Sequence, residues 1–228
     1  MSVKGGPNIV SSGLILHLDA SNTDSYPGTG TKWYDLSGFA KTGTLGSPTF
    51  NNGVFDFDGD NDVVNFGAGD PVIFPLPLFS IEIGLKSLGT KPTTATLPGL
   101  FGITYGLRCD FDETGRVMFV TNNGTQGQFT QLRDPNKNYF DNTWHQCVFM
   151  NDSTKSYIYS DSNFSVSGNA TWIGTTYWSG NTFNIGRDNN NSSQFFYGSI
   201  GNIKIYNRIL NPTEIVQSYN AIRGRYGI

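Results

Sequence analysis

Residues 183–220 read FNIGRDNNNSSQFFYGSIGNIKIYNRILNPTEIVQSYN, and few folds can accommodate such a stretch. Phe183, Ile185 and Gly186 form a short apolar run, 188–193 is a polar tract, and apolar residues then alternate from Phe195 through Ile200, Ile203 and Ile205. The pattern reads as strand, loop, strand. Past Asn207 and Arg208, Asn211 stands as an N-cap, Pro212 as the first helical residue and Glu214 as the partner in a capping box. Ile215, Tyr219 and Ile222 then fall at i, i+4 and i+7 on one helix face, and Gly224 is expected to close the helix in the left-handed conformation.

The rest of the 228 residues consists of short apolar alternations set between polar turns. Residues 14–18 read as a strand with Leu14, Leu16 and Leu18 on the inner face and His17 on the outer. Residues 19–37 read as a long loop, and 49–66 as two short strands around the acidic turn 58–62. In 79–85, Phe79, Ile81, Ile83 and Leu85 oppose Glu82. Residues 100–111 and 116–121 pair across the turn 112–115, and strands at 128–132, 144–150 and 155–160 continue the series. Charged residues make up only 14%, aromatics reach 14%, and Gly, Asn, Ser and Thr are abundant, which suits short strands joined by turns. The prediction is an all-β, two-sheet antiparallel jelly-roll β-sandwich with one short C-terminal helix and with the first and last strands as neighbours. Residues 1–12, containing Gly5, Gly6 and Pro7, are expected to form an extended N-terminal arm, and 13–228 a single domain.

Several segments are similar to laminin-G-like domains of the concanavalin A-like lectin and glucanase superfamily. Gly198, Ile200, Ile203, Tyr206, Arg208, Leu210, Glu214 and Ile215 match that family's glycine-led closing strand and the E-I helix after it. Residues 55–62, FDFDGDND, resemble its F-D-G-x-x-D hairpin, and Thr143, Trp144 and His145 its W-H strand. The resemblance covers roughly 14–222 and implies a concanavalin A-like sandwich. The opening at 13–38, GLILHLDASNTDSYPGTGTKWYDLSG, is similar to openings in virion proteins of phages, cyanophage-like ones among them. This implies a bacteriophage setting: a head decoration or cement protein, or a fibre or knob component. Such a protein would be made in the host cytoplasm without a signal peptide, would lie at the virion surface, and would partner copies of itself and other virion proteins.

Composition excludes some classes. A net charge of −3 and a pI near 5.2 supply no cationic surface for nucleic acid or an acidic membrane. Residues 71–85 are interrupted by Pro75, Pro77 and Glu82 and cannot span a bilayer as an ordinary helix, and residues 1–13 hold one Lys and no apolar core of a signal peptide. The two cysteines, Cys109 and Cys147, read as buried thiols, with a single bridge between neighbouring strands as the alternative. Glucanases of this superfamily carry paired carboxylates in a pattern close to E-x-D-x-x-E. That string is absent here, and Glu82 is one carboxylate on a comparable strand. Without a Ser-His-Asp set, phosphate loop or Cys/His spacing, the chain reads as non-enzymatic.

Two candidate sites remain. Asp58, Asp60, Asp62 and Asn61, with Asp56 and Asn65 nearby, concentrate hard oxygen ligands of the kind calcium prefers, and relatives with calcium in rim loops support that cofactor; turn formation competes as an explanation. Tyr26, Trp33, Tyr177 and Trp178, with Trp172, lie among polar turns, where flat rings beside Asn and Asp suit sugar stacking, Trp178 being the expected exposed ring. Plugging the ends of the sandwich is the competing role. The expected function is a virion surface protein with host glycans as candidate ligands; the alternative is a free-standing carbohydrate-binding lectin, with a glycoside hydrolase ranked third.

Overall fold

The structure, a computed structural model, describes residues 8–67, 78–89, 97–103, 106–122, 129–170, 182–188 and 194–228. These form β1 (Leu14–Asp19), β2 (Lys32–Trp33), β3 (Gly43–Gly46), β4 (Thr49–Asn51), β5 (Val54–Asp58), β6 (Val63–Asn65), β7 (Phe79–Ser87), β8 (Gly99–Ile103), β9 (Leu107–Phe111), β10 (Val117–Asn122), β11 (Phe129–Arg133), β12 (Trp144–Asn151), β13 (Lys155–Ser160), β14 (Asn163–Asn169), β15 (Phe183–Ile185), β16 (Tyr197–Tyr206) and one helix, α1 (Pro212–Tyr226). The first sheet runs β14-β13-β12-β7-β16-β5-β4, with β1 also on β16, and the second runs β11-β10-β9-β8-β15-β6-β3-β2. All the pairings are antiparallel, so the two-sheet sandwich predicted from alternation is the observed fold.

β16 organises the first sheet. Its ten residues pair with β7 on one side, and with β5 and then β1 on the other, which makes the first and last strands neighbours as expected. The register shifts between Ile200 and Asn202. This irregularity lets Ile200, Ile203 and Ile205 all point inward although their spacing breaks the period of two. Across the core, Phe149 of β12 meets Phe101 of β8 and Phe119 of β10 at centroid distances of 5.6 and 5.3 Å. Both cysteines lie in this core and are free, and burial pushes each thiol above its usual range.

A second apolar cluster forms on the outer face of the first sheet, where Val148, Met150 and Tyr206 meet Val10, Leu210 and Ile215. The helix that covers this face starts as the sequence predicts. Asn211 accepts from the Glu214 N–H at 3.0 Å, Glu214 returns the bond to the Asn211 N–H, and Pro212 opens the helix. Arg208 donates two bonds to the same Glu214 carboxylate, holding it below its ordinary range. Residues 8–12 are strapped here as well: Gln217 donates to the Asn8 carbonyl, Tyr206 to that of Val10 and Arg208 to that of Ser12.

Three local expectations are corrected. The helix does not close at Gly224 but runs to Tyr226, with Gly227 left-handed at φ 72° and its N–H bonded to the Arg223 carbonyl. Gly224 is exposed and helical, because Arg225 and Tyr226 have anchors on the sheet that hold the last turn. His17 points outward yet is buried. The segment 100–111 is a hairpin of two strands, and β14, polar and mostly exposed, is an edge strand that apolar alternation did not reveal. Among the described residues no helix is long and apolar enough to cross a membrane.

Candidate functional site

Strand parity and register place one row of side chains across the outer face of the first sheet. Trp144 of β12 is opposite Lys86 of β7, Lys86 opposite Ser199 of β16, Ser199 opposite Asp56 of β5, and Asp56 opposite Thr49 of β4. Their neighbours in sequence, His145, Leu85, Ile200, Phe55 and Phe57, are buried in the sandwich. Four interstrand steps make this row roughly 19 Å long. Two contiguous hollows lie along it, of about 300 and 310 Å³, which share Asp56, Lys86 and Ser199.

The walls come from a hairpin and from the end of the helix. The hairpin β4-β5 turns at Asn52 and Gly53, whose φ of 48° and 86° fit a two-residue turn that only such residues adopt readily. Asn51, Asn52 and Gly53 form one wall. Opposite, Tyr226 stacks on Trp144, with centroids 4.3 Å apart and planes 18° from parallel, and donates to Asn202 at 3.2 Å. The ring can lie this close because the strands beneath it carry glycines: a Cβ on Gly201 would overlap the Tyr226 hydroxyl, and one on Gly84 would press its ring at 3.1 Å. Arg225 binds both oxygens of Asp19 at 2.8 and 2.9 Å and fixes the last helical turn to β1. Burial disfavours the Arg225 charge, yet Asp19 keeps its pKa raised.

Within the groove Asp56 accepts from Ser199 at 2.5 Å and from Asn51 at 3.1 Å. Lys86 is half-buried and lies 6.0 Å from the centre of the Trp144 ring. The arrangement offers an aromatic platform, an ammonium, a hydroxyl and a carboxylate at fixed spacing, the inventory that orients a polyhydroxylated ligand. A larger hollow of about 400 Å³ beside exposed Phe164 is less suited, because its polar groups satisfy one another. Asp134 there accepts from Tyr139, Ser160 and Ser165, and Lys137 pairs with Asp161.

Of the site residues expected from sequence, Asp58 and Asp62 line the second hollow, while Tyr26 and Trp33 lie outside both. Trp33 is fully buried, edge-on to Phe55 at 4.8 Å, and Tyr26 lies between Phe50 and Phe55 with its hydroxyl donating to Gly30. Both are plugs under the 19–37 loop, with no ring face free for a sugar, because a loop this long must bury apolar residues of its own to stay on the sheet. Tyr177, Trp178 and Trp172 lie outside the described residues. The acidic turn also resolves as a turn. Asp58 accepts from the N–H groups of Asp60 and Asn61, and Asp62 from that of Asp58, while Asp60 and Asn61 point to solvent. Among the described residues no group of three acidic, His or Cys side chains converges on a common point. His145 is a buried structural residue, hydrogen-bonded to Thr143, Asp141 and Asp161.

The Laminin_G_3 family model, described as the concanavalin A-like lectin/glucanases superfamily, matches residues 80–216. The chain belongs to this family. Lys86, Trp144 and Ser199 fall within the match, whereas Asp56 and Tyr226 fall outside it. No curated protein sequence matches the chain. Among solved structures, the fold is similar to the receptor-binding domain of botulinum neurotoxin C/D mosaic serotype, with TM-score 0.67 and 14% identity over 92% of this chain and 51% of that one. It is similar to domain 4 of AbnA, an extracellular arabinanase from Geobacillus stearothermophilus in complex with arabinotriose, with TM-score 0.64 and 15% identity over 90% and 98%. Trypanosoma rangeli sialidase in complex with sialic acid gives TM-score 0.65 and 15% identity over 92% and 33%. The chain thus spans about half the length of the toxin domain and nearly all of the arabinanase domain. At such identities the likeness shows the fold alone.

Proposed function

We propose that this laminin-G-like domain is a non-enzymatic saccharide-binding module displayed on the surface of a bacterial virus, where it holds host glycans. The observation that carries the binding role is the row Trp144, Lys86, Ser199, Asp56 across the first sheet, walled by Tyr226 and the β4-β5 hairpin. Binding without catalysis is favoured because the groove carboxylates already serve the fold: Asp56 takes bonds from Ser199 and Asn51, and Asp58 and Asp62 cap their own turn. A hydrolase needs one such group free as acid and another as nucleophile or base. The similar arabinanase domain, described with arabinotriose, supports the saccharide class.

The virion setting rests on the phage-like opening at residues 13–38. Many copies on one particle would let weak individual contacts hold a cell, so affinity per groove need not be high. A glycan array probed with the purified chain tests the binding role. Asp56→Asn and Trp144→Ala are expected to abolish the signal while Asp60→Asn, outside the row, leaves it intact; equal signals from all three would refute the groove. Incubation with the bound glycan is expected to release no reducing ends. Quantitative mass spectrometry of purified particles tests the setting: hundreds of copies indicate a head decoration protein, some tens a fibre component, and absence leaves a free-standing lectin.

A further inference from the structure

The groove contains one cation that the fold does not use. Arg108, Arg116, Lys137, Lys204, Arg208 and Arg225 each lie against a carboxylate. Lys86 has no acidic partner among the described residues, and its ammonium lies 6.0 Å from the centre of the Trp144 ring. Its partners across the strands, Trp144 and Ser199, are uncharged, and Asp56 stands two strand steps away, roughly 10 Å. A half-buried lysine whose ammonium is paired with no carboxylate among the described residues is a seat for an anion supplied from outside.

We infer that the groove takes an anionic saccharide, a sugar chain bearing a carboxylate or sulfate, and that Lys86 holds the acidic substituent at the Trp144 end. This deepens the proposed function and rests on it. The opposite end is lined by Asp56, Asp58 and Asp62. An acidic substituent is repelled there, while sugar hydroxyls can donate to those oxygens, so the charge gradient along the row sets one direction of binding. An ammonium acts as a point charge and receives a carboxylate or a sulfate equally well.

Titration calorimetry with matched pairs tests this: oligogalacturonate against its methyl ester, sialyllactose against lactose, and sulfated against desulfated galactan oligosaccharide. Wild type is expected to bind at least one acidic form about tenfold more tightly than its neutral twin. The preference should shrink with added salt, persist in Lys86→Arg and vanish in Lys86→Gln, with the melting temperature confirming that each variant is folded. The pair that responds tells carboxylate from sulfate. Neutral twins binding as tightly as the acids, or a preference that survives Lys86→Gln, would overturn the inference and leave a neutral-saccharide groove standing. Failure of every saccharide to bind would overturn both the inference and the reading beneath it.

Discussion

His17, Lys204 and Glu82 stand side by side on β1, β16 and β7, all buried on the outer face of the first sheet. Lys204 and Glu82 pair at 2.6 Å, while His17 is held neutral: burial, and next the nearby Lys204 charge, lower its pKa from 6.5 to about 4 against the opposing pull of Asp19, Glu82 and Asp35. Between those values the unfolded chain binds the proton and the folded chain does not, so stability is lost as the pH falls through this window, by about 3 kcal/mol in full. Asp110 acts in the opposite direction. Burial and the Asp188 charge push its pKa from 3.8 up to about 7, against the pull of Arg108, so the folded chain holds the extra proton and stability is lost as the pH rises through the same range. The two contributions partly cancel in the wild type, and single variants separate them. Melting temperatures from pH 4 to 7 are expected to rise less steeply in His17→Gln than in wild type, and more steeply in Asp110→Asn. Parallel curves would mean that neither group titrates differently on folding. His17 shows the limit of reading parity alone. Its outward direction was legible, but its burial depends on what covers that face, which no local pattern carries.

α1 contributes to the groove through its last turn, and the sequence signals at its two ends differ in strength. The start was legible because Asn211, Pro212 and Glu214 are adjacent in sequence and act on each other. Asn211→Ala is therefore expected to cost about 1 kcal/mol, measured by denaturant unfolding, with the m-value unchanged. The end was misread because Gly224 has the right chemistry for a cap, whereas the helix is carried past it by Arg225 on Asp19 and Tyr226 on Trp144, contacts more than 80 residues apart in sequence in the second case. The glycines under Tyr226 follow the same logic. Gly201 lies inside an apolar strand, where it ordinarily signals a bulge or a close approach, and here it coincides with both. Gly201→Ala is expected to lower the melting temperature and weaken saccharide binding by displacing Tyr226. If the Tyr226 ring is the obstacle, the same substitution in a Tyr226→Ala background should cost markedly less stability. An equal penalty in both backgrounds would place the strain in the strand itself.

At the scale of the molecule, the sandwich was readable and the groove was not. Alternation and turn residues specify which side chains face inward, so Phe79, Ile81, Ile83 and Leu85, or Leu16 and Leu18, could be assigned to the core one strand at a time. The row Trp144, Lys86, Ser199, Asp56 exists only once β12, β7, β16 and β5 are placed side by side in register, and those strands are not consecutive in the chain. Tyr26 and Trp33, candidates for sugar stacking in the loop, are core, while Trp144, read as part of a family strand, faces the groove. The topology makes β16 the strand on which both readings depend. It joins β7 to β5 and β1, supplies Ser199 to the groove, and leads into the helix that covers the outer face. Removing residues 198–228 would strip β1 of its only partner strand among the described residues, expose the flanks of β7 and β5, and uncover the outer cluster around Val148 and Met150. Exposed strand edges of this length pair with other chains, so the truncated protein is expected to lack a cooperative thermal transition and to aggregate. A monodisperse, cooperatively melting fragment of residues 1–197 would show that β7 and β5 can close the sheet without β16, and that the groove is an addition to the fold rather than a consequence of it.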